Sequence, residues 1–112
     1  MVRLRMAGSV DLETSYEAQA ALAVLAQERD AVLLDFSDAE FVDSRFLLRL
    51  IALERRRSAM GLRLAMLVSP PARERVFRIK DVESRFVVYG DLRAALADFR
   101  DEPAGEGGPE RA

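Results

Sequence analysis

With 112 residues, half of them apolar, the chain is the size of one domain built on one core. Its 17 basic and 19 acidic residues leave a formal net charge of -2, so the total points to neither a nucleic-acid nor a bilayer surface. Cysteine and histidine are both absent, which excludes disulfides, zinc sites of the usual ligand types and every histidine-based catalytic arrangement.

From the N-terminus, Val2, Leu4 and Met6 alternate with Arg3 and Arg5, the period-two pattern of a half-buried strand, and Gly8 is expected to end it. The same residues lack the apolar block of a signal peptide. No apolar run approaches the length of a bilayer span, because Arg49 and the cluster Glu54 to Arg57 interrupt the longest one. A reducing, cytoplasmic setting is expected. Asp11 to Ser15 forms a polar turn, and Thr14 or Ser15 can cap an alanine-rich helix from Glu17 to Arg29. Asp30 breaks that helix before a short apolar strand, Ala31 to Phe36.

The most informative stretch follows. Asp43-Ser44-Arg45-Phe46-Leu47-Leu48 joins that strand to a helix predicted from Phe46 to Met60 and closed by Gly61. Ser44 can accept from a free backbone N–H of the first turn, as an N-cap does, or it can present its hydroxyl to a phosphate in the positive field of the helix start. It is either a cap or a switch. At 100 degrees per residue, Phe46, Leu47, Leu48, Leu50, Ile51 and Leu53 fill more than one stripe, so part of Phe46 and Leu48 is a candidate partner surface. The run Arg55-Arg56-Arg57 reads as a solvated helix face.

Leu62 to Val68 reads as a strand covered on both sides. Ser69-Pro70-Pro71 makes a rigid turn, with Pro71 at the first position of a short helix from Ala72 to about Ile79. A strand, Arg85 to Tyr89, and a helix, Leu92 to Phe99, complete the domain, which ends near residue 100. The Gly-, Pro- and charge-rich residues 101–112 are expected to form a disordered tail. Strands alternating with helices argue for an α/β domain with a largely parallel sheet.

Several fragments in order resemble the STAS family, over about residues 1 to 99. They are Gly8-Ser-Val-Asp11 followed by Thr14; Val32-Leu-Leu-Asp-Phe36 leading to Phe41-Val-Asp-Ser44; Gly61-Leu-Arg-Leu; Ser69-Pro70 with Val76-Phe77; and Asp91-Leu-x-x-Ala95-Leu96. The resemblance implies a mixed, mostly parallel sheet of about four strands with helices mainly on one face. It also implies a non-enzymatic anti-sigma factor antagonist without cofactor or metal, whose partner is an anti-sigma factor with serine kinase activity. Carried over by position, Ser44 is the phosphoacceptor, and Asp11, Asp43, Arg45, Phe46 and Leu48 form the partner-binding surface. Two positions depart from the family pattern: Arg45 and Phe46 stand where a small hydroxyl residue and a glycine are usual. A glycine there permits close backbone approach by a partner, so Phe46 is expected either to block that approach or to replace it with an aromatic anchor. The alternative implied by the same resemblance is the small STAS subunit that braces the ATPase of a bacterial lipid-transport complex.

Overall fold

The structure is a computed structural model and describes residues 1–76 and 84–101. Its elements alternate: β1 (Val2–Val10), α1 (Tyr16–Gln27), β2 (Val32–Val42), α2 (Ser44–Ala59), β3 (Leu64–Leu67), α3 (Pro70–Val76), β4 (Val87–Tyr89) and α4 (Leu92–Asp101). The strands form one sheet in the order β1-β2-β3-β4, and each neighbouring pair is parallel. The expected mixed sheet is therefore corrected to an all-parallel one. Of the expected tail, Asp101 closes α4 and the rest lies outside the described residues, as do the last residues of the helix expected to reach Ile79.

Parallel neighbours need crossovers, and right-handed crossovers in this strand order put the connecting helices on one side. The packing agrees. Val32, Leu34 and Phe36 from β2 and Leu64 and Met66 from β3 share a core with Ala18, Ala21 and Leu25 of α1, Phe46, Leu47 and Leu50 of α2, and Ala72 of α3. The helix α4 follows the last strand, is under no crossover constraint, and covers the other side. There Leu33, Ala65, Leu67 and Tyr89 meet Ala95, with Leu92 and Phe99 at the edge. With both faces covered, all four residues of β3 are buried, as its unbroken apolar run predicts.

Both β1 and β2 run past the ends expected from alternation. Between Arg5 and Ala7 of β1 the partner strand advances from Asp35 to Asp38, and between Gly8 and Ser9 it advances from Ala39 to Phe41. β2 thus carries one extra residue at each place, a bulge. On the side of α1, α2 and α3 its buried side chains fall at Val32, Leu34, Phe36, Ala39 and Val42, and the change of step after Phe36 hides the strand from a period-two reading. Gly8 does not end β1; it sits within it at φ +66°, a conformation that favours glycine.

Two buried ionic groups tie the elements together. Asp35 accepts from Arg3 Nη2 (2.6 Å) and from the Ser37 N–H (2.9 Å). Burial pushes its pKa up, but the bonds from Arg3 and Ser37 outweigh that and hold it below the usual aspartate value. Arg57 is buried rather than solvated, which corrects the reading of the arginine run. Its guanidinium donates to the carbonyls of Leu25 (3.1 Å), Glu28 (2.6 Å), Asp30 (2.7 Å) and Arg63 (3.2 Å). It thereby satisfies the open end of α1 and joins the α1–β2 and α2–β3 loops. Burial draws its pKa down, with Glu28 and Asp30 opposing the shift.

At the end of α2, Gly61 takes φ +74°, its N–H donates to the Ser58 carbonyl and the Leu62 N–H to that of Arg57. This is the Schellman closure expected of that glycine. At α3, Pro70 rather than Pro71 opens the helix, and the Ala72 N–H donates to the Ser69 carbonyl.

Candidate partner-docking site

All strands point the same way, so the β1–α1 turn and the β2–α2 junction lie side by side at one end of the sheet. Asp43 joins them. Its own N–H donates to the Val10 carbonyl (2.8 Å), its Oδ2 accepts from the Leu12 N–H (3.2 Å) and its Oδ1 from the Arg45 N–H (3.2 Å). Asp43 is thus the N-cap of α2, and Ser44 is the first helical residue. The capping role expected as one option for Ser44 belongs to its neighbour. An aspartate caps as well as serine and adds a charge favourable to the helix start, while its second oxygen reaches across to Leu12.

Ser44 is exposed, and its hydroxyl bonds to none of the described residues. Asp11, half-buried, folds the β1–α1 turn by accepting from the N–H groups of Glu13 (2.9 Å) and Thr14 (3.3 Å). Ser15 then caps α1, accepting from the Ala18 N–H (3.1 Å). Arg45 spans the two segments: Nη1 meets Glu13 Oε2 at 2.7 Å and Nε lies 3.5 Å from Asp43 Oδ2. The bond to Glu13, with the charges of Glu13 and Asp43, raises the guanidinium's pKa.

Phe46 does not belong to this rim. It is fully buried, with its ring edge-on to Phe36 (centroids 6.5 Å apart, planes at 81°), so the expected aromatic anchor is corrected to a core residue. Its position two residues after Ser44 turns it towards the sheet. Leu48, by contrast, is 55% exposed and lines a shallow groove with Leu12, Glu13, Arg45 and Arg49. The structure thus brings Asp11, Asp43, Ser44, Arg45 and Leu48 to one rim and removes Phe46 from it. Leu12, Glu13 and Arg49 join the rim unforeseen. The membership of Leu12 and Glu13 depends on Asp43 reaching across 31 positions to Leu12, a contact with no periodic signature.

Among known families, the model described as Mlab, STAS domain, matches residues 1–97. The chain belongs to the STAS domain family. No curated protein matches it. STAS domains are regulatory and interaction domains, and the rim of this one is polar, with one exposed leucine, at the strand ends. No helix among the described residues of this STAS domain is long and apolar enough to cross a membrane.

The cap itself can be tested. Replacing Asp43 by alanine is expected to cost about 1–2 kcal/mol, since both the cap and the tie to Leu12 are lost. Asparagine has one acceptor oxygen where the carboxylate uses two, so it is expected to restore either the cap or the tie and to recover about half of the loss. Urea denaturation of the three proteins measures both; equal midpoints for wild type and Asp43→Ala would contradict the geometry.

Proposed function

We propose that this STAS domain is a cytoplasmic anti-sigma factor antagonist whose rim docks an anti-sigma factor with serine kinase activity, and that Ser44 accepts the phosphate. One observation carries the reading: Asp43 performs the capping, which leaves the Ser44 hydroxyl exposed and without a structural task. In the transfer, Ser44 Oγ bonds to the terminal phosphorus of a nucleoside triphosphate held by the kinase. The bridging P–O bond breaks, the diphosphate leaves, and the hydroxyl proton passes to a base of the kinase.

The helix start favours the added charge, whereas Asp11, Glu13 and Asp43 surround it with negative charge. Arg45 is already engaged by Glu13 and Asp43, so it offsets the new dianion only by releasing them. A partner fitted to the neutral rim then loses affinity. A loss of about 2.7 kcal/mol weakens a complex about a hundredfold. The domain itself acts by binding and turns over no substrate.

The test pairs Ser44→Asp with Ser44→Ala. The aspartate variant is expected to bind the kinase about a hundredfold more weakly, and the alanine variant to bind like wild type and to take up no phosphate in an intact-mass assay. Equal affinities of the two variants would end the switch. A second reading is favoured by the Mlab description of the matching family model: the same rim would brace the ATPase of a lipid-transport complex, with Ser44 unmodified. Co-purification of an ATPase subunit in place of a kinase selects it.

A further inference from the structure

The outward side of α2 carries a feature that the phosphate switch does not use. At about 100° per residue, Arg45, Leu48, Arg49, Ala52, Arg55 and Arg56 fall within an arc of about 120°. All six are exposed. Glu54, the only acidic residue of α2, lies on the far side and is half-buried. Arg45 is neutralised by Glu13 at the rim. Arg49, Arg55 and Arg56 have no ion-pair partner among the described residues. Towards the helix end, Glu28 shares a groove with Arg56 and with Met60, which is 60% exposed.

A chain with net charge -2 therefore gathers three uncompensated cations along one helix, beside an exposed leucine. Ordinary solvated helices intersperse the two signs. Here the charge is of one sign, the stripe is one helix wide and runs about 17 Å from Arg45 to Arg56, and Ala52 within it permits close approach by another backbone. Such a shape suits a second helix laid alongside. A bilayer or a nucleic-acid duplex would meet the acidic remainder of the molecule as well.

We infer that this face receives an acidic amphipathic helix of the partner protein, with carboxylates opposite Arg49, Arg55 and Arg56 and an apolar side chain against Leu48. The inference rests on the docking reading above and gives the partner's chemistry. Ser44 borders the N-terminal end of the same face, so docking here brings the partner to the hydroxyl. Charge pairing across the exposed stripe steers association more than it tightens the final complex, and Leu48 supplies the desolvated contact.

The experiment uses the full chain and a labelled synthetic helical peptide with leucines along one side flanked by glutamates. The comparison probes are its lysine counterpart, a short DNA duplex and vesicles containing phosphatidylserine. Fluorescence anisotropy is expected to show binding to the glutamate peptide alone, weakening as salt is raised. The double change Arg49→Glu with Arg56→Glu is expected to weaken it about tenfold or more, as is Leu48→Ser, with thermal melts unchanged because all three sites are exposed. No preference for the glutamate peptide, indifference to the arginine changes, or equal binding of DNA or vesicles overturns the inference. The switch is scored separately on the kinase complex. Sensitivity to Ser44→Asp with indifference to the arginine pair removes only the acidic-helix inference, and the converse removes only the switch.

Discussion

Replacing Arg57 by methionine is expected to destabilise the domain by about 3 kcal/mol or more, the largest effect of any single change away from the apolar core. Methionine fills much of the stem's volume, so the loss reports the guanidinium. Four carbonyls, at Leu25, Glu28, Asp30 and Arg63, would lose their donor at once, and three of them belong to the end of α1 and the loop beyond it. Lysine at the same position keeps the charge but presents its donors from one point rather than from a planar fork, so only part of the stability returns. Thermal unfolding followed by circular dichroism is expected to show a fall of roughly 12–24 °C for Arg57→Met. A fall of a few degrees would mean that water replaces the guanidinium without penalty and that the carbonyl cage is not what holds these loops.

Phe46→Ala is expected to cost about 3–5 kcal/mol, because a fully buried ring is removed from between α2 and the sheet and Phe36 loses its edge-on neighbour. Against a total stability of about 5–15 kcal/mol, that change leaves a marginal domain. Leu48→Ala, two residues on, is expected to change stability by no more than about 0.5 kcal/mol, since its side chain is half in water. Chemical denaturation of the pair gives a direct reading of which apolar residue after Ser44 faces the core. Similar losses for both would contradict the orientation of α2, and with it the placing of Leu48 on the docking rim.

How much of this was legible in the chain can be judged from the same residues. Alternation at Val2, Leu4 and Met6, the unbroken apolar run of β3 and the glycine at 61 each report a local cause, and the corresponding elements formed. The extension of β2 to Val42 was hidden because two bulges change its inward step from two residues to three, at Ala39 and Val42. Phe46 was ambiguous for a different reason. The first two turns of α2 are apolar nearly all round, so composition supplies candidates for both core and surface, and only the docking angle on the sheet separates them. At the rim, Asp43 and Ser44 are adjacent and both are good caps, so local chemistry left the role open. The reach of the Asp43 carboxylate to Leu12 decided it, and that depends on β1 and β2 being neighbours. Arg57 looked like its flanking arginines for the same reason: a run of identical residues on a helix cannot reveal which one turns inward.

The end of α4 lies away from the rim. This helix returns along the sheet, so that Arg63, just ahead of β3, stacks on the Phe99 ring at 4.2 Å and donates to the Asp98 carbonyl. Met1 lies at that same end, its ammonium 2.9 Å from Asp30. Met1 and the end of α4 are thus a strand's length from Ser44. A fluorophore or an affinity handle grafted at Met1 starts on the side of the molecule remote from the rim, so tethering this domain there leaves its contact surface open.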